Sequence, residues 1–399
     1  MGAGSDRGTS RVIWRGRDGG VALATGRGIA ARYFALRHPV PARRFIRRFE
    51  RRASRIAALA QSEFRDAIGS HAHPDHDAAP WWVEAAANGL RSDVVDWLLL
   101  SGPRPAEKGI GFLFVARDNY PVAVVKIASS SHAIGRVERG YRALVQLRDA
   151  GVTTRGLAPE PLALLVGPVG QVASVETAVR GTWLDSLLRR GNERQYAERI
   201  TDWLIDLGSA TRGANRDDAW LAPFRDVVDR FRENVASLVD AGFVRAACAR
   251  VADIECLPTV FEHHDYAPWN IYVSPKRLLA FDWDNADPRG IPAFDLVQGL
   301  AYLAISIDGS LRTLRFAESF RRREAGRLGV VWRECRSKYA SALGIDEDEL
   351  RAIQVFAWMR LTNDEIEGRR RAGNLLQRDA IERSMLGLWL EEARSAIDR

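Results

Sequence analysis

The residues best suited to chemistry in this chain lie in His263-His264-Asp265-Tyr266-Ala267-Pro268-Trp269-Asn270 and, just downstream, in Phe281-Asp282-Trp283. Asp265 and Asn270 stand five residues apart on one loop, and Asp282 follows at the end of a short apolar run. A carboxylate, an amide and a second carboxylate in that order suit the movement of a phosphoryl group. Asp265 can accept the proton of an attacking hydroxyl. The Asn270 amide oxygen and the Asp282 carboxylate are hard oxygen ligands that can hold Mg²⁺ against the phosphates of a nucleotide.

These side chains need strands to hold them. Leu257-Pro258-Thr259-Val260-Phe261 and Asn270-Ile271-Tyr272-Val273 read as short strands, and Arg277-Leu278-Leu279-Ala280-Phe281 as a third after the Ser274-Pro275-Lys276 turn. The polar residues therefore fall at strand ends and on the loop between, where a rigid frame can present them. Upstream, Pro121-Val122-Ala123-Val124-Val125-Lys126-Ile127 is an apolar, β-branched strand that carries Lys126. Twelve residues on, Glu138 opens a helical segment with Val137, Tyr141 and Leu144 near one face. Val172-Ala173-Ser174-Val175-Glu176-Thr177 reads as a strand exposed at a sheet edge, before the Arg180-Gly181 turn. Taken singly, Lys126 is more often an edge residue whose ammonium reaches water, and Glu138 a solvated helix charge. His263 reads as a structural imidazole bonded to nearby backbone. Weight comes from the order in which these residues occur.

That order resembles the aminoglycoside phosphotransferase and choline-kinase branch of the protein-kinase-like fold. In that branch the His-Arg-Asp of protein kinases becomes His-Gly-Asp, and Asp-Phe-Gly becomes an Asp-Trp-Glu type of sequence. Here His264 stands in place of the small residue and Asp284 in place of the Glu. The resemblance implies that Lys126 reaches the α- and β-phosphates of ATP, that Glu138 pairs with Lys126, and that the strand ending near Glu176 receives the adenine. It also implies that Asp295, in Gly290-Ile291-Pro292-Ala293-Phe294-Asp295-Leu296, braces the catalytic loop. Gly109-Ile110-Gly111-Phe112-Leu113-Phe114-Val115 is a candidate for the glycine-bearing strand over the phosphates, with the segment around Ser101-Gly102-Pro103 as the alternative. The overall look is closest to phosphotransferase-like proteins of bacterial surface-polysaccharide loci.

The expected architecture is α+β, a two-lobed protein-kinase-like fold with an N-terminal extension. Residues 1–80 form the extension, 81–180 a small β-rich lobe, and 181–399 a larger, mainly helical lobe with the catalytic and metal loops. Within the extension, Val12-Ile13-Trp14 and Val21-Ala22-Leu23-Ala24 flank an Asp18-Gly19-Gly20 turn and predict a hairpin. From Ala42 to Ile68, Phe45, Phe49, Ile56, Ala60 and Phe64 make an apolar stripe at helical spacing, with Arg43, Arg44, Arg47, Arg48, Arg51, Arg52 and Arg55 around it. Such a helix either docks on the small lobe or makes weak contact with an anionic membrane surface, the docked form being preferred. His71-Ala72-His73-Pro74-Asp75-His76 spells a zinc-hydrolase motif, but it sits in a Pro- and Ala-rich stretch after a helical one, and for the further His ligands such a site needs the chain offers only His132, His263 and His264, the last two already placed in another motif.

Composition bounds the rest. The 399 residues suffice for a large core, and 46% hydrophobic content is ordinary for a cytoplasmic globular protein. The start of the chain lacks a secretory apolar run, and Cys248, Cys256 and Cys335 show neither metal-ligand spacing nor a disulfide framework. A net charge of +7 favours anionic ligands in general, and no nucleic-acid partner is expected. The function that follows is an ATP- and Mg²⁺-dependent phosphotransferase acting on a hydroxyl of a small molecule, a sugar or related metabolite. The alternative is a pseudokinase that binds nucleotide or acts as a scaffold. Acceptor contacts are sought at Asp284, Asp287 and Asp364-Glu365-Glu367. The Arg369-Arg370-Arg371 run that follows speaks against a simple pocket for a polycation.

Overall fold

The computed structural model describes residues 11–15, 21–24, 29–30, 33, 80–90, 93–101, 108–116, 118–128, 130–213, 218–251, 257–307, 316–371 and 373–398. The chain divides into two compact units, one of residues 1–148 with 159–180 and one of residues 149–158 with 181–399. The arginine-rich stretch from Ala42 to Ile68 and the His71–His76 motif lie outside the described residues.

In chain order the first unit holds β1 (Arg11–Arg15), β2 (Val21–Ala24), α1 (Trp81–Leu90), β3 (Val94–Ser101), β4 (Gly109–Val115), β5 (Ala123–Ala128), α2 (Ser131–Asp149), β6 (Pro161–Val166) and β7 (Val172–Thr177). The strands form one sheet in the order β1-β2-β3-β4-β5-β7-β6, antiparallel throughout. Alternation along the strands sends side chains to opposite faces. On one face Leu99, Leu113, Val125, Ile127, Ala173 and Val175 pack against Trp82, Val83 and Ala86 of α1. The other face is covered in two places: Leu98 and Phe114 pack against Ala30 and Tyr33, and Ala128 and Val172 against Ala133 and Val137 of α2.

The expected hairpin is present, and it continues the main sheet through the pairing of β2 with β3. The buried Asp96 carboxylate on β3 accepts the Ile29 and Ala30 N–H groups at 3.1 and 3.0 Å, which ties the segment after the hairpin to the sheet. One expectation is corrected. The strand ending near Glu176 is β7, which lies inside the sheet between β5 and β6 with five of its six residues buried; β6 takes the edge instead. Gly111 lies on the α1 side, where an added Cβ would come within 2.7 Å of the Trp82 indole, so close packing of α1 accounts for this glycine.

The second unit opens with β8 (Thr182–Trp183) and the single turn α3 (Leu184–Leu187), then α4 (Glu193–Thr211), α5 (Asp218–Val235) and α6 (Ala241–Val251). Next come β9 (Val260–Glu262), β10 (Ile271–Val273), β11 (Leu278–Ala280) and β12 (Asp287–Gly290). The helices α7 (Phe294–Ile307), α8 (Phe316–Glu324), α9 (Arg327–Leu343), α10 (Glu347–Arg371) and α11 (Met385–Ile397) complete it. Two small sheets, β11-β10-β8 and β12-β9, stand among these helices. Most of α7 is buried all round, as its nearly unbroken apolar sequence requires. The protein is thus α+β, with an antiparallel sheet in one unit and a mainly helical second unit. Among the described residues no helix is long and apolar enough to cross a membrane.

Candidate active site

The loop from His263 to Asn270 is held by α7. His264 has a left-handed backbone, φ 64°, a region that costs a residue with a Cβ roughly 1–2 kcal/mol. Across this bend the His263 and His264 N–H groups both donate to the Asp295 carboxylate, at 2.6 and 3.1 Å. Asp295 is buried, which pushes its carboxyl up to about 7; nearby Glu262 adds to the shift and the two N–H bonds oppose it. Gln298, one turn further along α7, accepts the Tyr266 N–H at 2.8 Å. The buried His263 ring bonds Phe281 O through Nε2 at 2.9 Å and accepts the Asp265 N–H on Nδ1 at 3.3 Å. It is a structural imidazole that joins the loop of Asp265 to the end of the strand before Asp282.

Asp265, Asn270 and Asp282 come together through strand register. Ile271 faces Ala280 in the β10–β11 pair, and the Phe281 N–H donates to Asn270 O at 3.0 Å, so Asn270 and Asp282 lie at the same end of the pair. The Asn270 amide nitrogen donates to the Asp265 carbonyl and to Asp265 Oδ2, both at 2.9 Å. This commits the nitrogen to Asp265 and leaves the amide oxygen as the atom to offer a cation. Asp282 is also left-handed, φ 69°, before the short turn Trp283–Asn285. An amide oxygen and a carboxylate are donors that Mg²⁺ accepts, so the residues present fit the metal.

In the first unit, Lys126 Nζ lies 3.3 Å from Glu176 Oε2, and both side chains are 5% exposed. The expected partner, Glu138, instead pairs with Arg142 at 3.8 Å, and both of those side chains are exposed. The reason is geometric. Lys126 faces Ser174 and Val124 faces Glu176 across the β5–β7 ladder, so Lys126 and Glu176 are diagonal neighbours on one face of the sheet.

A cluster that the sequence did not announce adjoins the catalytic loop. Arg360 of α10 bonds His264 Nδ1, lies 3.5 Å from Glu262 Oε2, and stacks 4.2 Å above the Phe294 ring. The other ring nitrogen, His264 Nε2, meets Glu262 Oε2 at 2.5 Å. Burial and the Arg360 charge push His264 down to about 3, so the ring is neutral, accepting from Arg360 and donating to Glu262. Burial pushes Glu262 up to about 8, with Arg360 opposing and Asp287 adding. A Cβ on Gly290 would collide with the Glu262 side chain, so this position needs its glycine. Ninety-six residues separate His264 from Arg360, and no local pattern in the sequence links them.

Beside this cluster opens a cavity of about 270 Å³, with Asp287, Arg289, Arg360 and Asp364 among its polar walls and Phe224 and Phe356 among its apolar ones. Of the acidic acceptor candidates, only Asp287 and Asp364 line it. Asp284 is buried. Glu365 is taken up by Arg369 at 2.8 Å and the Met385 N–H at 2.6 Å, and Glu367 by Arg230 at 3.6 Å.

Comparison with curated proteins finds no match. Among solved structures, the chain is similar to a thermostable mutant of aminoglycoside phosphotransferase APH(4)-Ia in ternary complex with ADP and hygromycin B, with 12% identity, 79% of this chain and 97% of that chain covered, and a TM-score of 0.46. It is similar also to a glucosamine kinase in complex with glucosamine, ADP and inorganic phosphate, with 17% identity, 81% and 84% coverage and a TM-score of 0.43. A third similar structure is the aminoglycoside phosphotransferase from Alicyclobacillus acidocaldarius, with 14% identity, 83% and 97% coverage and a TM-score of 0.45. The family model described as the phosphotransferase enzyme family matches residues 104–335, more than half of the chain and all of the loops described above. On that match the chain belongs to the phosphotransferase enzyme family.

Proposed function

We propose that the chain transfers the γ-phosphoryl group of ATP to a hydroxyl of a small molecule, a sugar or related metabolite, in the cytoplasm and with Mg²⁺. The observation that carries this reading is the bonding of Asn270 to Asp265 with Asp282 at the same strand end. Asp265 orients the acceptor hydroxyl and takes its proton as the oxygen bonds to phosphorus and the bond to the leaving ADP breaks. Lys126 binds phosphate oxygens. Asn270 and Asp282 would hold Mg²⁺, which when bound neutralises charge on the phosphates.

The acceptor is assigned to the cavity that begins at His264, the neighbour of Asp265 in the chain. Its walls carry guanidinium donors and carboxylate acceptors in comparable number beside aromatic rings, which suits a neutral polyhydroxylated molecule better than a polycation. The test is ATP consumption measured with sugars, amino alcohols and aminoglycosides in turn. The reading expects turnover with a sugar or polyol that Asp265→Asn abolishes. Turnover that survives Asp265→Asn would overturn the assigned mechanism, and nucleotide binding without turnover on any acceptor would favour a pseudokinase.

A further inference from the structure

We infer that Glu176, on the strand next to Lys126, is the positioning residue that aims the Lys126 ammonium at the nucleotide phosphates, a role that a helix glutamate fills in protein kinases. The inference rests on the reading of Lys126 as a phosphate ligand. Lys126 and Glu176 are 3.3 Å apart, and each side chain is 5% exposed. A charge buried to that degree needs a counter-charge, and the Glu176 carboxylate supplies one at a distance that constrains where Nζ sits. The helix residue expected in that role, Glu138, pairs with exposed Arg142 instead.

The origin of the partner has a mechanical consequence. A lysine held from a helix is released when that helix shifts, and kinases use this for control. Lys126 and Glu176 sit on strands joined by a continuous ladder from Ala123↔Thr177 to Ala128↔Val172, so their separation is set by register and does not follow α2. The lysine is therefore poised whether or not α2 moves.

The experiment measures MgADP affinity by calorimetry and the KM for ATP in the full chain. Glu176→Gln is expected to weaken MgADP binding about tenfold, the scale of one lost charge-assisted contact, with Glu176→Asp in between. Glu138→Gln should stay within about twofold of wild type. Positioning is separated from general support by the Lys126→Met background, where Glu176→Gln should cost no further affinity. Should Glu176→Gln fail to fold, Glu176→Asp and the Lys126→Met, Glu176→Gln double variant carry the comparison. Wild-type affinity in both Glu176 variants, an equal loss in Glu138→Gln, or a further loss in the Lys126→Met background would overturn the inference. Wild-type protein that binds no MgADP would overturn the underlying reading and this inference with it.

Discussion

The Asn270 side-chain nitrogen donates to Asp265 Oδ2 at 2.9 Å, so the residue proposed to hold the cation also orients the residue proposed to take the proton. Asp265→Asn should keep most of the nucleotide affinity and lower phosphoryl transfer by roughly 10²-fold or more, the contribution of a general base. Asn270→Ala should lower both, because it removes a metal ligand and the Asp265 support together. Coupled ADP-release assays and calorimetry on the two variants check this, and Asp265→Asn at the wild-type rate would count against Asp265 as the base.

Mg²⁺ and ATP together should stabilise the protein against heat more than either alone, because Asn270 and Asp282 are proposed to hold the ion that bridges the phosphates. At ~100 times the dissociation constant the gain is about 2.7 kcal/mol. Thermal melts with Mg²⁺, with ATP and with both measure it. Asp282→Ala should remove most of the joint effect.

Stability should depend on pH through Glu262. Its folded pKa, pushed up to about 8 by burial, lies above the ordinary carboxylate value, so the native state holds a proton that the unfolded chain releases. The contribution is fully present below the unfolded pKa of ~4.3 and is lost as pH rises through the folded value. Glu262→Gln mimics the protonated form, and its melting temperature relative to wild type should therefore rise between about pH 5 and pH 8. A constant difference across that range would contradict the assignment.

Asp96 ties the Ile29–Ala30 backbone to β3. Asp96→Ala leaves buried donors unsatisfied and should destabilise the chain by about 1–3 kcal/mol in denaturant titration. Deleting residues 1–80 removes β1, β2 and the Ala30 and Tyr33 cover of Leu98 and Phe114. The truncated chain should aggregate; a soluble, well-folded truncation would show that this cover is dispensable.

The amino-acid sequence by itself determined the local pieces. The strands around the catalytic loop, the N-terminal hairpin, the strand of Lys126 and the helical second unit were all legible, because alternation, helical spacing and turn residues act over a few positions. So was the structural role of His263, whose partners Asp265 and Phe281 lie close in the chain. Only the tertiary structure decided which distant groups meet. Lys126 meets Glu176 rather than Glu138 because the β5–β7 register places them diagonally on one face, and a register spanning fifty residues leaves no mark in either strand's own sequence. β7 is interior because β6 folds back beside it. Arg360 reaches His264 and Glu262 only once α10 packs beside the catalytic loop. The shifts at His264, Glu262 and Asp295 follow from folding as a whole, because they arise from loss of water and from charges brought near, neither of which is a property of the residues in sequence.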